Sequence, residues 1–399
     1  MRMRVSEQDL EALSIGAAIL GTGGGGDPLI GKLMAQQALA EYGPVELISL
    51  DNVNDDDVVF PVAMMGAPTV FLEKIPAGDE GYRAVTRMER HLGKKVTALC
   101  PIECGGMNSM IPFVVAARMG LPVVDGDGMG RAFPELQMET FSVLGVPGTP
   151  ACIADEWGNV VLFETIDNYR LESFARACTI RMGGYSHLVD YPMTGKQVRD
   201  TAVRGTVSMG IHLGRAVQAA QRGHRDPVQA VLEATRNTVY GHGIRLFAGN
   251  VMDVSRRTTD GFAVGRAQLQ GLDQYSGQTM VIDFQNENLV AVVDGHVVAS
   301  VPDLITLLDP ETGIAVTNER VRYGQRVVVI GIPTPEIMRS EAALKVWGPK
   351  QFQLDIPFIP LEEAYPEFYQ QVGVPVEKDF RLSTPRAASR FDGQVERHG

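Results

Sequence analysis

The sequence predicts an α/β protein in which a parallel-sheet N-terminal domain with helices precedes a β-rich C-terminal domain. Residues 58–125 alternate short apolar runs with segments whose apolar residues recur every three or four positions, as in a strand, helix, strand, helix, strand unit. Residues 243–331 instead carry β-branched runs separated by turn residues. The 399 residues suffice for two domains. We place the N-terminal domain at 1–168, a helical connection with the β-rich domain at 169–360, and an extended or mobile tail at 361–399.

The first helix is expected to begin at Ser6, because Ser6 and Asp9 have the spacing of a capping box. It should end at Gly21, where a glycine run starts. Asp27 then occupies an N-cap position, and Pro28 occupies the first position of a second helix, where proline is favoured. The glycine run is therefore expected to connect two helices.

Three short apolar runs supply the predicted parallel strands, at 58–63, 96–99 and 121–124. Helices are expected between them, the first over about 81–92 and the second capped by Asn108 or Ser109 and ended by Gly120. Parallel strands connected by helices all end at one edge of the sheet, and ligands bind outside that edge. The loops that follow these strands are therefore the first place to look for a site.

The later elements follow from local patterns. A hairpin is predicted for 151–154 against 160–163, around a turn at Trp157-Gly158-Asn159. Further helices are expected over the ranges 171–182, 194–222 and 226–238. Asp294-Gly295 lies between two β-branched runs and is the strongest hairpin signal in the chain.

Composition excludes several classes of protein. The net charge of −12 is unfavourable for binding nucleic acid, which needs clustered lysine and arginine. No apolar run reaches the ~18 residues of a membrane helix, and the N-terminus lacks the apolar core of a signal peptide, so we expect a cytoplasmic protein with no membrane contact. The four cysteines form no CxxC pair. Cys104 could be a nucleophile, although a small residue that fits a turn is the favoured interpretation.

The run Gly21 to Gly26 contains the pattern GxGxxG, and Asp51 closes the next predicted strand. A dinucleotide-dependent oxidoreductase is therefore one alternative. However, the segment before the glycines predicts a helix, whereas a dinucleotide fingerprint opens from a strand. Asp27 would also place a negative charge where pyrophosphate binds a helix N-terminus. No nucleotide is therefore expected.

Two acidic segments follow neighbouring predicted strands. Glu103 precedes Gly105 and Gly106, and the run from Asp125 contains Asp127 and further glycines. Glycines let a ligand approach the backbone closely. We therefore expect Glu103, Asp125, Asp127 and the glycine run to line one cleft.

Three segments carry a resemblance: Gly21 to Pro28, Glu103 with Gly105-Gly106 and Asn108, and the stretch Asp125 to Glu135. They resemble the S-methyl thiohydantoin desulfurase-like family, over roughly residues 5–360. The resemblance implies an α/β N-terminal domain and a β-rich C-terminal domain. It also implies hydrolysis of S-methyl thiohydantoins to hydantoin and methanethiol, and a gene context shared with hydantoinase/oxoprolinase-type amidohydrolases.

Such a hydrolysis needs an activated water, a proton donor and stabilisation of a tetrahedral centre. The hypothesis from the sequence is that Glu103 acts as the base and that Asp127 or Glu135 acts as the acid. Asp125 is included because neighbouring carboxylates shift each other's pKa. Arg131 could hold a substrate carboxylate, or form a salt bridge with Glu135. The expected substrate-binding residues are Gly23, Gly24, Gly25, Asp27, Gly105, Gly106, Asn108 and Arg131.

Cofactor and partner predictions stay open. Asp125 and Asp127 could bind a divalent metal that activates the water, but the identity of any metal is unknown from the sequence. The expected partner is a small-molecule substrate, and a homo-oligomer is favoured. A further alternative is an accessory subunit that docks its β domain on a hydantoinase/oxoprolinase-type amidohydrolase.

Overall fold

The computed structural model describes residues 2–67, 70, 73–259 and 262–372. They form an N-terminal mixed sheet with parallel strands and helices, followed by a curled antiparallel sheet. This arrangement confirms the α/β class and the β-rich second domain.

Among the described residues, the first sheet has ten strands. In chain order they are β1 (Arg2–Val5), β2 (Val45–Ser49), β3 (Val58–Gly66), β4 (Ala98–Pro101), β5 (Val123–Asp127), β6 (Ala151–Ala154), β7 (Val160–Phe163), β8 (Tyr185–Val189), β9 (Met193–Thr194) and β10 (Val203–Arg204). The spatial order is β1-β2-β5-β4-β3-β8-β6-β7. Strands β2, β5, β4 and β3 are parallel, so the predicted parallel unit is confirmed. The β6–β7 hairpin is confirmed as well.

Helices of this part of the chain are α1 (Glu7–Leu20), α2 (Pro28–Tyr42), α3 (Glu80–Leu92), α4 (Ile111–Met119), α5 (Thr140–Val143), α6 (Asn168–Arg181), α7 (Gly195–Thr201), α8 (Thr206–Arg222) and α9 (Pro227–Thr235). A 3-10 turn, Gly106–Ser109, precedes α4. The helix expected over 194–222 is not continuous. Strand β10 interrupts it, because Val203 pairs with Asp127 at the end of β5.

The second sheet contains β11 (Ile244–Thr259), β12 (Phe262–Gly271), β13 (Thr279–Gln285), β14 (Glu287–Val293), β15 (His296–Ser300), β16 (Leu304–Leu308) and β17 (Arg326–Ile332). All of its pairings are antiparallel, in the order β15-β14-β13-β12-β11-β17-β16. The predicted turn at Asp294-Gly295 is confirmed, with φ values of 48° and 85° that suit a two-residue hairpin.

The two sheets share buried apolar contacts. The largest buried cluster contains Leu13 of α1 and Phe113 of α4, and it also contains Leu304 and Ile330 of the second sheet. Strands β8, β9 and β10 lie beyond residue 168 in sequence but join the first sheet. The first structural unit therefore includes part of the predicted connection.

The chain after the second sheet forms α10 (Glu341–Trp347), α11 (Leu361–Ala364) and α12 (Pro366–Gln371). The predicted tail at 361–399 thus begins with two short helices. Residues 373–399 of that tail lie outside the described residues.

Candidate functional site

A cavity of about 600 Å³, including its open mouth, lies where the carboxyl ends of β3 and β4 meet the β13–β14 turn. Apolar side chains form much of the wall: Met64, Met65, Ile102, Met129, Phe133 and Leu136. The polar side chains are Glu103, Asn108, Glu135, Arg176, Asn286 and Glu287. Both domains therefore contribute to one polar-centred cavity.

Glu103 lies two residues after β4 and is only 4% exposed. Its Oε1 accepts a hydrogen bond from Asn108 Nδ2 at 2.7 Å, and its Oε2 accepts one from the Phe133 backbone N–H at 3.3 Å. Burial, followed by the nearby Glu287 carboxylate, raises the pKa of Glu103 well above its usual value. Glu103 is thus a buried, positioned carboxyl group that favours its protonated form.

Asn108 positions Glu103 rather than pointing a free amide at the cavity. Its Oδ1 accepts from the Met64 N–H at 2.8 Å, and its Nδ2 donates to the Met64 carbonyl at 3.2 Å as well as to Glu103. The end of β3 and the loop after β4 are therefore connected through one amide side chain.

Asp125 does not line the cavity. Its Oδ1 accepts from the Ser208 N–H at 2.9 Å, and its carbonyl accepts from the Gly205 N–H at 3.0 Å. These are the N–H groups that open α8, so Asp125 caps that helix. The structure therefore places Asp125 at α8 and not beside Glu103 in the cavity lining, because the helix N-terminus supplies the donors that this buried carboxylate needs.

Asp127 also lies outside the cavity lining. Its Oδ1 accepts from the backbone N–H groups of Gly130 at 2.8 Å and Met129 at 3.3 Å, and its Oδ2 accepts from that of Cys104. Burial raises the pKa of Asp127 to about 7, against these hydrogen bonds. The carboxylate joins the loop after β5 to the loop after β4, and the structure does not place it beside Glu103 in the cavity lining.

Arg131 is completely buried and has five acceptors for its five N–H donors. They are the carbonyls of Ala132, Pro302, Asp303 and Asn288, and the hydroxyl of Thr22. Three of these carbonyls belong to the second domain. Every donor therefore has a partner within the protein, and the described residues contain no ion pair between Arg131 and Glu135. The contact with a substrate carboxylate stays a prediction.

The glycine run follows helix α1 and packs between the domains. Gly25 and Gly26 line the cavity, and the Gly25 carbonyl accepts from the Met107 N–H at 2.9 Å. A Cβ atom at Gly24 would lie 2.2 Å from Glu287 Oε1, so only glycine allows Glu287 to approach this loop.

Besides Arg131, five of the predicted binding residues pack outside the cavity lining. A Cβ atom on Gly23, Gly105 or Gly106 would fall within 3.0 Å of neighbouring atoms, so each of these glycines allows a close packing contact. Gly24 packs against Glu287 in the same way. Asp27 caps α2 through the Leu29 N–H at 2.9 Å and pairs with Arg320.

Glu135 is half-buried and lines the cavity, as a candidate acid should. Its Oε2 accepts from Gln137 Nε2. Burial raises the pKa of Glu135, and the Gln137 hydrogen bond opposes that effect.

Two charged residues of the cavity were missed by the sequence analysis. Arg176 of α6 donates to Glu172 and to the Pro134 carbonyl at 2.9 Å, and its guanidinium lies 4.6 Å from the centre of the Phe262 ring. Glu287, the first residue of β14, is 2% exposed. Burial raises the pKa of Glu287 to about 8, although the positive charge of Arg131 opposes the shift.

Glu287 looks like an ordinary hairpin residue in the sequence. The one available signal was the polar run from Gln285 to Asn288, which interrupts β-branched strands. Within the described part of the chain, Glu287 Oε2 is buried without a hydrogen-bond partner. Such an atom indicates a place where a ligand or water completes the bonding.

Another pair of acidic residues is buried outside the cavity lining. Glu139 and Asp190 are both 0% exposed, and all four of their carboxyl oxygens have no hydrogen-bond partner among the described residues. Burial raises the pKa of each well above its usual value, and Asp190 adds to the shift of Glu139. Both groups therefore favour the protonated form in the folded protein.

Among residues 2–67, 70, 73–259 and 262–372, no group of three or more His, Cys, Asp or Glu side chains is arranged to hold a metal ion. Cys104 is buried, and burial raises the pKa of its thiol well above the usual value.

No helix in the described residues has both the length and the apolar character needed to cross a membrane.

Comparison with solved structures identifies a similar fold. An X-ray structure of a protein from Chromobacterium violaceum superimposes with a TM-score of 0.75 at 26% sequence identity, covering 90% of this chain and 100% of that chain. No curated protein matches the sequence.

Comparison with family models divides the chain near the end of the β6–β7 hairpin. The model for the N-terminal domain of S-Me-THD-like proteins matches residues 8–165, and the model for their C-terminal domain matches residues 166–361. Glu103 falls in the first match and Glu287 in the second. Since the two matches together span most of the chain, the protein belongs to the S-Me-THD-like family.

Proposed function

We propose that the protein hydrolyses S-methyl thiohydantoin-type or related hydantoin rings, with water attacking the amidine-like carbon and methanethiol leaving. The observation that carries this proposal is the positioned carboxyl group of Glu103 in a cavity between the two domains. Membership of the S-Me-THD-like family is consistent with a thiohydantoin-related role.

The cavity suits a small ring with polar edges. Methionine and aromatic side chains of its wall can contact the ring faces and the S-methyl group. Arg176, held by Glu172 and Phe262, can donate to a ring carbonyl, since the guanidinium has five N–H donors. Proton transfer is assigned to the buried carboxyl groups, with Glu103 at the centre and Glu135 as a further candidate near the mouth.

The test is release of methanethiol from an S-methyl thiohydantoin, followed with a thiol reagent. Glu103→Gln keeps the shape of the side chain but cannot exchange a proton, so turnover should fall by ~100-fold or more. Melting of the same variant is measured alongside, so that loss of turnover can be separated from loss of fold. A normally folded variant that releases thiol at the parent rate would remove Glu103 from the mechanism.

A further inference from the structure

Two buried carboxyl groups from different domains face the same cavity. Glu103 follows β4 of the first sheet, and Glu287 begins β14 of the second. After burial, Glu287 is the largest influence that raises the pKa of Glu103. Like charges in a buried site oppose each other's ionisation, so such a pair holds one proton more tightly than either residue would alone.

The oxygens of the two groups differ in what they contact. Both oxygens of Glu103 already accept hydrogen bonds, from Asn108 and from the Phe133 backbone. In the described residues, Glu287 Oε2 is buried and accepts none. Both acceptor sites of Glu287 Oε2 therefore remain unused, whereas each Glu103 oxygen has one of its two sites occupied by a positioning donor.

The surrounding charges also differ. The Arg131 guanidinium donates to the carbonyl of Asn288, the residue next to Glu287. Its positive charge is the largest influence opposing the burial-raised pKa of Glu287, and it is not a leading influence on Glu103. Negative charge is therefore more stable on Glu287, and the shared proton is more stable on Glu103.

We propose that Glu287 is the base that binds and deprotonates the attacking water, and that Glu103 is the acid. This inference rests on the proposed function, and it reverses the role that the sequence suggested for Glu103. It also makes the site complete only when both domains are present.

The proton transfers balance over one turnover. The Glu287 carboxylate takes a proton from water as the water oxygen bonds to the ring carbon between the two nitrogens. At the same time, the electron pair of the C=N bond moves to the ring nitrogen, and that nitrogen takes the proton of Glu103. The Glu103 carboxylate then takes the hydroxyl proton as the carbonyl forms. The C–S bond breaks, and methanethiolate takes the proton from Glu287, so both residues return to their starting states.

The position of the proton can be measured without turnover. Infrared difference spectra recorded above the Glu287 pKa of about 8 compare the parent with Glu103→Gln and with Glu287→Gln, and bands of other buried acids such as Glu139 cancel. The band of a protonated carboxyl group should disappear in Glu103→Gln and persist in Glu287→Gln. Loss of that band in Glu287→Gln would overturn the assignment.

Kinetics test the same roles. The parent kcat/KM should rise with pH as Glu287 loses its proton and fall at higher pH as Glu103 loses its own. Glu287→Gln should lower thiol release by ~100-fold or more and abolish the rising limb, whereas Glu103→Gln should abolish the falling limb. A folded Glu287→Gln with parental turnover would overturn the inference.

The matched control is Glu319→Gln, a half-buried glutamate of the second domain that does not line the cavity. It should keep both limbs of the pH profile and the infrared band, with the rising limb moved to lower pH because the Glu319 charge raises the pKa of Glu287. If the parent releases no methanethiol, the proposed function fails, and the infrared spectra still decide which residue holds the proton.

Discussion

Replacing Arg131 with methionine removes five buried hydrogen bonds while keeping much of the side-chain volume. Three of the acceptors left behind are the carbonyls of Asn288, Pro302 and Asp303 in the second domain. A buried acceptor that loses its donor costs ~1–3 kcal/mol. At the lower end of that range, three unpaired carbonyls lower the free energy of unfolding by about 3 kcal/mol. This loss agrees with the ~3–5 kcal/mol cost of removing one partner of a buried charged pair.

Urea unfolding followed by circular dichroism measures this loss. Arg131→Lys keeps the charge and three donors, so its loss should be intermediate. Arg204→Met is the control, because its ion pair with Asp51 at 2.8 Å is exposed, and its unfolding midpoint should stay at the parent value. If Arg131→Met unfolds at the parent midpoint while the KM for the ring rises, Arg131 binds substrate and the structural role is refuted.

Two further predictions concern carboxyl groups outside the cavity lining. Asp125→Ala should lower the unfolding free energy by ~0.5–2 kcal/mol, because Asp125 caps α8 through the Ser208 N–H. Asp125→Asn should release methanethiol near the parent rate. A large loss of turnover in Asp125→Asn would instead show a catalytic carboxylate. Folding raises the pKa of Glu139 and that of Asp190. Their contribution to the free energy of unfolding is therefore complete below the unfolded-state pKa of about 4, and it is lost as the pH rises towards the pKa of each group in the folded protein. Urea midpoints of Glu139→Gln should therefore fall less with rising pH than those of the parent, and identical slopes would contradict this.

The strand and helix pattern of the first domain could be predicted because each element is coded locally. The capping box at Ser6, the proline at position 28 and the left-handed glycine at 120 all appear in the structure where the sequence places them. The turn at Asp294-Gly295 is equally local. These signals depend on a few adjacent residues, so they do not require knowledge of tertiary contacts.

The site was only partly predictable, because its composition depends on contacts between distant segments. Glu103 and Asn108 were identified from the glycine loop that contains them. Asp125 and Arg131 have residue types suited to catalysis and binding, but segments 83 and 157 residues away in sequence occupy their polar atoms. Glu287 was missed for the converse reason, since only the folded chain brings a hairpin residue to the end of β4.

The five bonds of Arg131 also restrict how a ligand can reach the cavity. Hinge opening between the two sheets would break the hydrogen bonds from the Arg131 guanidinium to the second domain. It would also separate the apolar cluster that contains both Phe113 and Ile330. These contacts therefore oppose a hinge motion between the two sheets as the route by which a ligand reaches the cavity.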